Sequence, residues 1–346
     1  MVALSDVLAS NAQIQSNLPK GLIAIFAGAT SGIGEVTLKT FVRYAVEPRI
    51  YIIARNQTAA ERVIAECRQI NAKGQYEFIY ADLMLIKETD RACEQIKRKE
   101  KLVNLVVLSA GQFIFDRKPT SEGLNALLAT GCYSRFRIAQ QLLPLLTAAA
   151  STTPLARVVN VSSGTYEGDV VTSDMQVQNL SFTKAFSEMK PHVASIATLY
   201  LEALADQAPT VSFVHDFPGP VYSNLHKNAI GVFGLLIRVI TEVIYAFLGR
   251  WLFVPIEESG ERHVYFATSK NYRPRAGTAV GMALEGVNAA EGSDGLVGSG
   301  VYSINWDGEK RTEASVSALK KLRAKGVKEI VWDHVTGEFD RITAGM

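Results

Sequence analysis

The stretch that determines the fold is GLIAIFAGATSGIG, residues 21–34. Its apolar run, residues 22–27, predicts a buried strand, and a helical pattern begins at Glu35. Between them Gly28, Gly32 and Gly34 follow a G-x-x-x-G-x-G spacing, which differs from the common G-x-G-x-x-G fingerprint. Glycines let the backbone approach a phosphate closely, and the free N–H groups at a helix start favour an anion. The stretch therefore predicts a binding site for a dinucleotide pyrophosphate.

The composition indicates a single large globular domain inside the cell. The chain has 346 residues, and α/β folds of about 250 residues are routinely one domain. A net charge of +2 favours neither nucleic acid nor an acidic partner. The cysteines, Cys67, Cys93 and Cys132, are widely spaced and odd in number, so we expect neither a disulfide framework nor a metal cluster. Residues 1–20 lack a signal-peptide pattern, and we expect a cytoplasmic protein.

Apolar runs and helical patterns alternate along the chain. Such alternation predicts βαβ units in a doubly wound parallel sheet with three layers, a Rossmann-type α/β fold. We expect residues 1–20 as a lead-in, residues 21–346 as one domain, and residues 271–346 as its C-terminal extension. Thr58 is expected to cap a helix, residues 164–190 to form a long active-site loop, and Pro191 to begin the helix that follows. The predicted strands are residues 22–27, 49–54, 76–80, 102–108, 157–161, 211–214 and 298–305.

The order of the motifs resembles that of a short-chain dehydrogenase/reductase over residues 21 to about 270. The family's glycine turn usually begins with Thr, and this chain has Ala27 there; the family's Asn-Ala-Gly is here Ser-Ala-Gly. The segment VSFVHDFPG, residues 211–219, is similar to the retinol-dehydrogenase-like branch and to fungal members. The motifs that carry the resemblance are residues 28–34, Arg55, residues 81–83, residues 109–111, residues 159–163 and residues 218–221.

The resemblance implies a nicotinamide cofactor. Arg55 lies at the end of the second predicted strand, where a guanidinium suits the 2′-phosphate of NADP and an acidic residue would suit NAD; the alternative is a solvated arginine. Asp82 matches the residue that contacts adenine, although it could equally cap a helix. The resemblance assigns cofactor contacts to Gly28, Thr30, Ser31, Gly32, Ile33, Gly34, Arg55, Asn56, Asp82, Leu83, Ser109, Ala110, Gly111, Pro218, Gly219, Val221 and Ser223.

The catalytic residues depart from the family pattern. Ser163 matches the serine that polarises the substrate carbonyl. No Tyr-x-x-x-Lys occurs between Ser163 and Pro218, and the spacing puts the two positions near Glu188 and His192. Phe186-x-x-x-Lys190 has the spacing without the hydroxyl, and the family's helix asparagine falls on Gly131.

We consider three replacements for the missing proton donor. His192 is preferred, because the first turn of a helix would keep its imidazole neutral and able to exchange a proton; the alternative is a histidine packed on its helix. Glu188 and Tyr166 are the other candidates.

Residues 232–254 are unusually apolar but contain Arg238, Glu242 and Arg250. Each charge costs about 2.5–3.5 kcal/mol at a bilayer centre, so we expect no membrane span. In the family this region covers the substrate, and its apolar character, within residues 225–258, implies a lipophilic, polycyclic substrate. A peripheral membrane contact and the face of a homodimer are the alternatives.

These patterns predict an NADP(H)-dependent oxidoreductase acting on a carbonyl or alcohol of a lipophilic small molecule. The analogy with fungal members suggests secondary metabolism. The alternative is a protein that keeps the nucleotide site without hydride transfer: an isomerase, cyclase or dehydratase, or a cofactor-sensing binder.

Overall fold

A computed structural model describes most of the chain. The described residues are 1–112, 118–179, 182–222, 239, 242, 245, 249, 251–282, 288–309 and 313–344, and for residues 182–187 only the backbone is described. The predicted cofactor contact Ser223 and most of the apolar segment lie outside these residues.

The core of the molecule is a parallel sheet of seven strands. The strand order is β3-β2-β1-β4-β5-β6-β7, and each neighbouring pair is parallel. This order confirms the predicted doubly wound Rossmann-type fold. The strands are β1 (Ile23–Ala27), β2 (Arg49–Ala54), β3 (Gln75–Tyr80), β4 (Leu105–Leu108), β5 (Arg157–Val161), β6 (Ser212–Phe217) and β7 (Val301–Asn305).

Helices cover both faces of the sheet. One layer, named the α3–α9 layer after two of its helices, contains α1 (Leu4–Ala12), α3 (Gly32–Tyr44), α4 (Gln57–Ile70) and α9 (Ile256–Thr268), with α2 (Ile14–Asn17) beside them. The opposite layer, named the α5–α8 layer in the same way, contains α5 (Ile86–Lys99), α6 (Ala126–Leu128), α7 (Ser134–Thr152), α8 (Phe182–Gln207), α10 (Glu313–Ala324) and α11 (Val327–Thr343).

The sheet separates two hydrophobic cores, because successive side chains along each strand point to opposite faces. In β1, Ile23 and Ile25 pack into the α5–α8 layer, whereas Ala24 and Phe26 pack into the α3–α9 layer. Both faces are buried, which explains why the strands read as continuous apolar runs.

The structure differs from the sequence-based expectation at several element boundaries. Residues 1–20, expected as a lead-in, contain α1 and α2, because Val7 and Ile14 are buried in the α3–α9 layer. Helix α4 is capped by Asn56 and not by Thr58: the Asn56 side chain accepts a hydrogen bond from the N–H of Ala59. Helix α8 begins at Phe182, so Pro191 lies inside it and the loop after β5 is shorter than expected.

The helix before β5 begins at Ala126 and contains a π-helical turn, Ala129–Tyr133, before α7. Gly131 lies in this turn, and a Cβ atom there would meet nothing within 4 Å.

The C-terminal helix α11 covers α8. Val331, Val335 and Phe339 are buried, and the Trp332 ring stacks on Tyr200 of α8 with centroids 5.3 Å apart. Among the described residues, no helix has the length and apolar character needed to cross a bilayer.

Candidate active site

The predicted motifs meet at the carboxyl ends of four neighbouring strands. In the order of the sheet, β1, β4, β5 and β6 lie side by side. The glycine turn follows β1, residues 109–111 follow β4, Ser163 follows β5, and residues 218–221 follow β6. The chain reverses its direction of winding between β1 and β4, and open α/β sheets bind ligands at such a crevice.

The glycine turn is packed directly against the end of β4. Gly28 has φ +93°, and a Cβ atom on it would overlap the backbone of Ala110. A Cβ on Gly34 would overlap the Ser109 hydroxyl and lie 2.6 Å from the carbonyl oxygen of Gly28. The Ser109 hydroxyl donates to the carbonyl oxygens of Ala27 and Gly28, at 3.2 and 3.3 Å. Glycine is therefore required at both positions, because β1, β4 and α3 approach too closely for a side chain.

The start of α3 is open to an anion. The Ser31 side chain forms no capping hydrogen bond, so the first N–H groups of the helix, at Gly32, Ile33 and Gly34, have no side-chain cap. Gly32 has φ +60°, a left-handed conformation that glycine adopts without strain. The carbonyl oxygen of Thr30 accepts from Arg62 of α4 at 3.2 Å, which ties the turn to the neighbouring helix.

The predicted cofactor contacts that follow β2 and β3 differ in their hydrogen bonds and in their exposure. Arg55 is exposed, and its guanidinium donates to the Gln112 side chain at 2.9 Å. Asn56 uses its side-chain oxygen to cap α4. Asp82 accepts from the N–H of Met84 at 3.0 Å and does not cap α5, whose N-cap is Leu85. Leu83 is buried in the core.

Ser163, which follows β5, has a buried side chain. Its Oγ has no hydrogen-bond partner in the described part of the chain. Its N–H donates to Nε2 of His215 in β6 at 3.2 Å. Because an unpaired buried hydroxyl costs free energy, a substrate oxygen would find a donor already desolvated.

Tyr166 lies on the same turn as Ser163 and beside a lysine. Its N–H donates to the Ser163 carbonyl oxygen at 3.3 Å, and its ring packs edge-on against Phe217 at the end of β6, with centroids 4.8 Å apart. The Lys190 ammonium lies 3.2 Å from the centroid of the Tyr166 ring and 4.2 Å from that of Phe217. The fold thus joins a phenol and an ammonium that are far apart in sequence.

Comparison with known proteins agrees with this geometry. A family profile described as short chain dehydrogenase matches residues 22–173. "Oxidoreductase AN1596" from Emericella nidulans is 35% identical over 344 residues and covers 99% of each chain. The chain belongs to the short-chain dehydrogenase/reductase family.

Other members extend the comparison. "Oxidoreductase andH" from Emericella variicolor is 34% identical, with 99% of this chain and 98% of that protein aligned. Among solved structures, L-sorbose reductase from Gluconobacter frateurii, complexed with NADPH and L-sorbose, superposes with a TM-score of 0.55 at 15% identity. It covers 85% of this chain and 98% of its own, and it shows the shared fold.

The position of His192 in this dehydrogenase/reductase differs from our expectation. Helix α8 begins at Phe182, so His192 is not in the first turn. Its Nδ1 accepts from the N–H of Val171 at 3.1 Å, and its Nε2 lies 3.2 Å from the carbonyl oxygen of Met175. Burial lowers the pKa of His192, which favours the neutral imidazole. Through these two contacts His192 connects the loop after β5 to α8. Glu188 lies two residues before Lys190 on the same helix and is half-buried.

The turn after β6 closes the site. Gly219 has φ +76°, and a Cβ there would approach the Trp306 ring to 2.9 Å. The N–H of Val254 donates to the carbonyl oxygen of Pro220 at 2.9 Å, and Val221 pairs with Val254. These contacts hold Pro218, Gly219 and Val221 in place at the carboxyl edge of the sheet.

A buried arginine that the motifs do not reveal joins the ends of β4 and β5. The guanidinium of Arg135 in α7 donates to the carbonyl oxygens of Leu108, Ala110 and Val161 and to the Asn160 amide oxygen. Burial lowers the pKa of Arg135 to about 10, so the side chain remains a cation near neutral pH. Its Nη2 atom would lie 3.3 Å from a Cβ on Gly111. Arg135 thus fixes the backbone at the ends of β4 and β5, next to residues 109–111 and Ser163.

Replacing Arg135 with methionine is expected to lower the free energy of unfolding by roughly 3 kcal/mol or more, because several buried oxygens lose their donor. Urea denaturation measures the change. Arg91→Met is the control, since Arg91 forms an exposed pair with Glu88 and should cost about 0.5 kcal/mol or less. Equal losses in the two variants would contradict the role of Arg135.

A buried ion pair lies on the other face of β6. Asp216 Oδ2 is 3.0 Å from Nε2 of His263, whose Nδ1 lies 2.6 Å from the carbonyl oxygen of Ser259. Both ring nitrogens face acceptors, so the ring is doubly protonated. Burial alone would lower the pKa of His263, but the Asp216 carboxylate raises it. This pair anchors β6 to α9 directly behind the site.

Proposed function

We propose that this protein is an NADP(H)-dependent dehydrogenase/reductase that acts on a carbonyl or alcohol of a lipophilic small molecule. The observation that carries the proposal is the crevice itself: the uncapped start of α3 and the buried Ser163 hydroxyl lie at the same edge of the sheet, and that hydroxyl has no hydrogen-bond partner among the described residues. Its membership of the short-chain dehydrogenase/reductase family supports the redox reaction. The fungal oxidoreductases with which it aligns over nearly their whole length support a role in secondary metabolism, and we place the activity in the cytosol.

The residues of the crevice fit a nicotinamide dinucleotide. The N–H groups at the start of α3 would hold the pyrophosphate, Asp82 the adenine, and Pro218, Gly219 and Val221 the nicotinamide end. The exposed Arg55 would bind the 2′-phosphate, as expected for NADP(H). The solved L-sorbose reductase with the same fold was crystallised with NADPH. When bound, the cofactor supplies or accepts the hydride.

The side chains after β5 would handle the substrate oxygen. Ser163 donates a hydrogen bond from its Oγ to that oxygen. Tyr166, one turn further along, transfers the proton to the oxygen in reduction and removes it in oxidation. The Lys190 ammonium over its ring provides the fixed positive charge that a phenol needs when it becomes an anion. We prefer this pair to His192 because both ring nitrogens of His192 already face backbone groups.

The experiment is a turnover assay with a panel of hydrophobic ketones and alcohols, in which NADPH oxidation or NADP reduction is followed at 340 nm. Turnover of at least one lipophilic member would support the proposal. Product formed without net change in NADPH would favour the non-redox alternative. Binding of NADPH with no reaction across the panel would favour a cofactor-sensing binder.

NADPH is expected to bind more tightly than NADH, because the Arg55 guanidinium after β2 suits a 2′-phosphate. Calorimetric titration with both cofactors measures the preference. Arg55→Asp should weaken NADPH binding and spare or improve NADH binding. Arg68→Asp, a change at an exposed arginine of α4, is the control and should leave both affinities unchanged. Equal affinities for the two cofactors in the unmodified protein would contradict the assignment to Arg55.

A further inference from the structure

A buried polar chain lies behind Ser163 and connects it to helix α8. The N–H of Ser163 donates to Nε2 of His215 at 3.2 Å. The other ring nitrogen, Nδ1, lies 2.8 Å from the hydroxyl of Thr198. That hydroxyl donates to Oε1 of Glu167 at 2.7 Å. All four residues are buried.

Only one arrangement of protons satisfies this chain. Because Nε2 accepts from a backbone N–H, the proton of the neutral ring must be on Nδ1, which donates to Thr198. Burial, together with the positive charge of Arg135, lowers the pKa of His215 to about 3. His215 therefore stays neutral at physiological pH, and its 3.9 Å approach to Glu167 is not an ion pair. Each hydrogen bond of the chain therefore has one direction, from Ser163 to His215, from His215 to Thr198 and from Thr198 to Glu167.

Glu167 also receives a bond from the C-terminal part of the chain. The hydroxyl of Ser303 in β7 donates to Glu167 Oε1 at 2.5 Å and accepts from the N–H of Thr165 at 2.6 Å. The hydroxyl of Ser315 in α10 donates to the carbonyl oxygen of Thr165 at 2.9 Å. Both backbone groups of Thr165 are thus held by residues from beyond β6.

The backbone at Thr165 needs this support. Its φ is +66°, a left-handed conformation that is strained for a β-branched residue. Such strain persists only where the surroundings impose it, and it is found disproportionately at functional sites. Thr165 lies between Ser163 and Tyr166, so the strained turn sets the relative placement of the two side chains that would contact the substrate oxygen.

We propose that Glu167 is a positioning residue: through Thr198 and His215 it fixes the backbone of Ser163, and through Ser303 it maintains the strained turn that presents Tyr166. This inference rests on the proposed function for its effect on turnover. Its structural part, the rigidity of the turn, does not depend on activity. The C-terminal extension is therefore part of the active-site framework.

Hydrogen exchange of the Ser163 and Thr165 amides tests the structural part. In Thr198→Val the imidazole loses its acceptor and Glu167 loses a donor, so we expect both amides to exchange at least about tenfold faster. Thr198→Ser keeps the hydroxyl and should restore protection. Thr268→Val is the matched control, because the Thr268 hydroxyl is buried and bonds within α9. Unchanged exchange in Thr198→Val would overturn the proposal.

Kinetics tests the functional part with whichever substrate the panel identifies. A misplacement near 1 Å can cost about a hundredfold in rate. We expect Glu167→Leu and Thr198→Val to lower kcat by roughly 10- to 100-fold, with the Kd for NADPH within about twofold. Glu167→Gln keeps an acceptor oxygen and should retain most of the rate. A normal kcat in Glu167→Leu would overturn the proposal.

The two tests separate the two hypotheses. If no member of the panel is turned over, the proposed function fails, while the exchange rates still decide whether Glu167 positions the turn. If turnover is present and the exchange rates do not respond to Thr198→Val, the positioning role fails and the proposed function stands.

Discussion

Gly34→Val is expected to weaken NADPH binding at least about a hundredfold, equivalent to roughly 2.7 kcal/mol. A Cβ atom at this position would overlap the Ser109 hydroxyl and lie 2.6 Å from the carbonyl oxygen of Gly28. The valine must therefore displace either the glycine turn or the end of β4. Both surround the crevice in which the pyrophosphate would lie, so the N–H groups of α3 would no longer point at the phosphates.

Fluorescence titration with NADPH measures the loss, and circular dichroism checks that the variant is folded. Gly337→Val is the matched control, because a Cβ there meets nothing within 4 Å and the residue lies in α11, away from the crevice. It should bind NADPH normally. Normal binding by Gly34→Val would mean that the glycine turn has been assigned to the wrong function.

Tyr166→Phe is expected to lower kcat by roughly 10²–10⁴-fold, the range for loss of a general acid or base. Phenylalanine keeps the edge-on packing against Phe217 and removes only the hydroxyl. Lys190→Met should act in the same direction, because it removes the ammonium 3.2 Å from the ring centroid. Ser163→Ala should also lower kcat. NADPH affinity should change little in Tyr166→Phe and in Ser163→Ala.

The same assay on His192→Gln distinguishes our two hypotheses for the proton donor. If Tyr166 is the donor, His192→Gln should retain most of the activity. A large loss of kcat in His192→Gln, together with full activity in Tyr166→Phe, would return the assignment to His192.

Much of the fold was predictable from sequence because its signals are local. Each buried parallel strand is a continuous apolar run, as residues 22–27 and 49–54 illustrate, since both faces of the sheet are covered. The boundaries that failed depend on tertiary contacts. Helix α8 continues through Pro191, although proline disfavours helix interiors. Helix α1 forms where the sequence is mixed, because its apolar side packs on α9.

The candidate site residues likewise include some that local sequence patterns predict and others that depend on tertiary contacts. The spacing of Gly28, Gly32 and Gly34 indicated the turn. The close approach of Gly28 and Gly34 to the residues after β4, and the left-handed φ of Gly32, explain why glycine occurs there. No local pattern could pair Lys190 with Tyr166 or join Glu167 to Thr198 and Ser303. These residues come from different elements, and their neighbours become known only when the strands are in order.

The doubly wound sheet, the glycine turn and the edge at which the motifs gather could be predicted from the amino-acid sequence, because strand periodicity and glycine conformation are properties of short segments. The folded structure was needed to show which groups lie together: the buried Arg135 beneath β4 and β5, the phenol beside Lys190, and the chain of hydrogen bonds from Glu167 to Ser163. A hydrogen bond or a charge pair acts over a few ångströms in space, whereas these partners are separated by tens of residues along the chain.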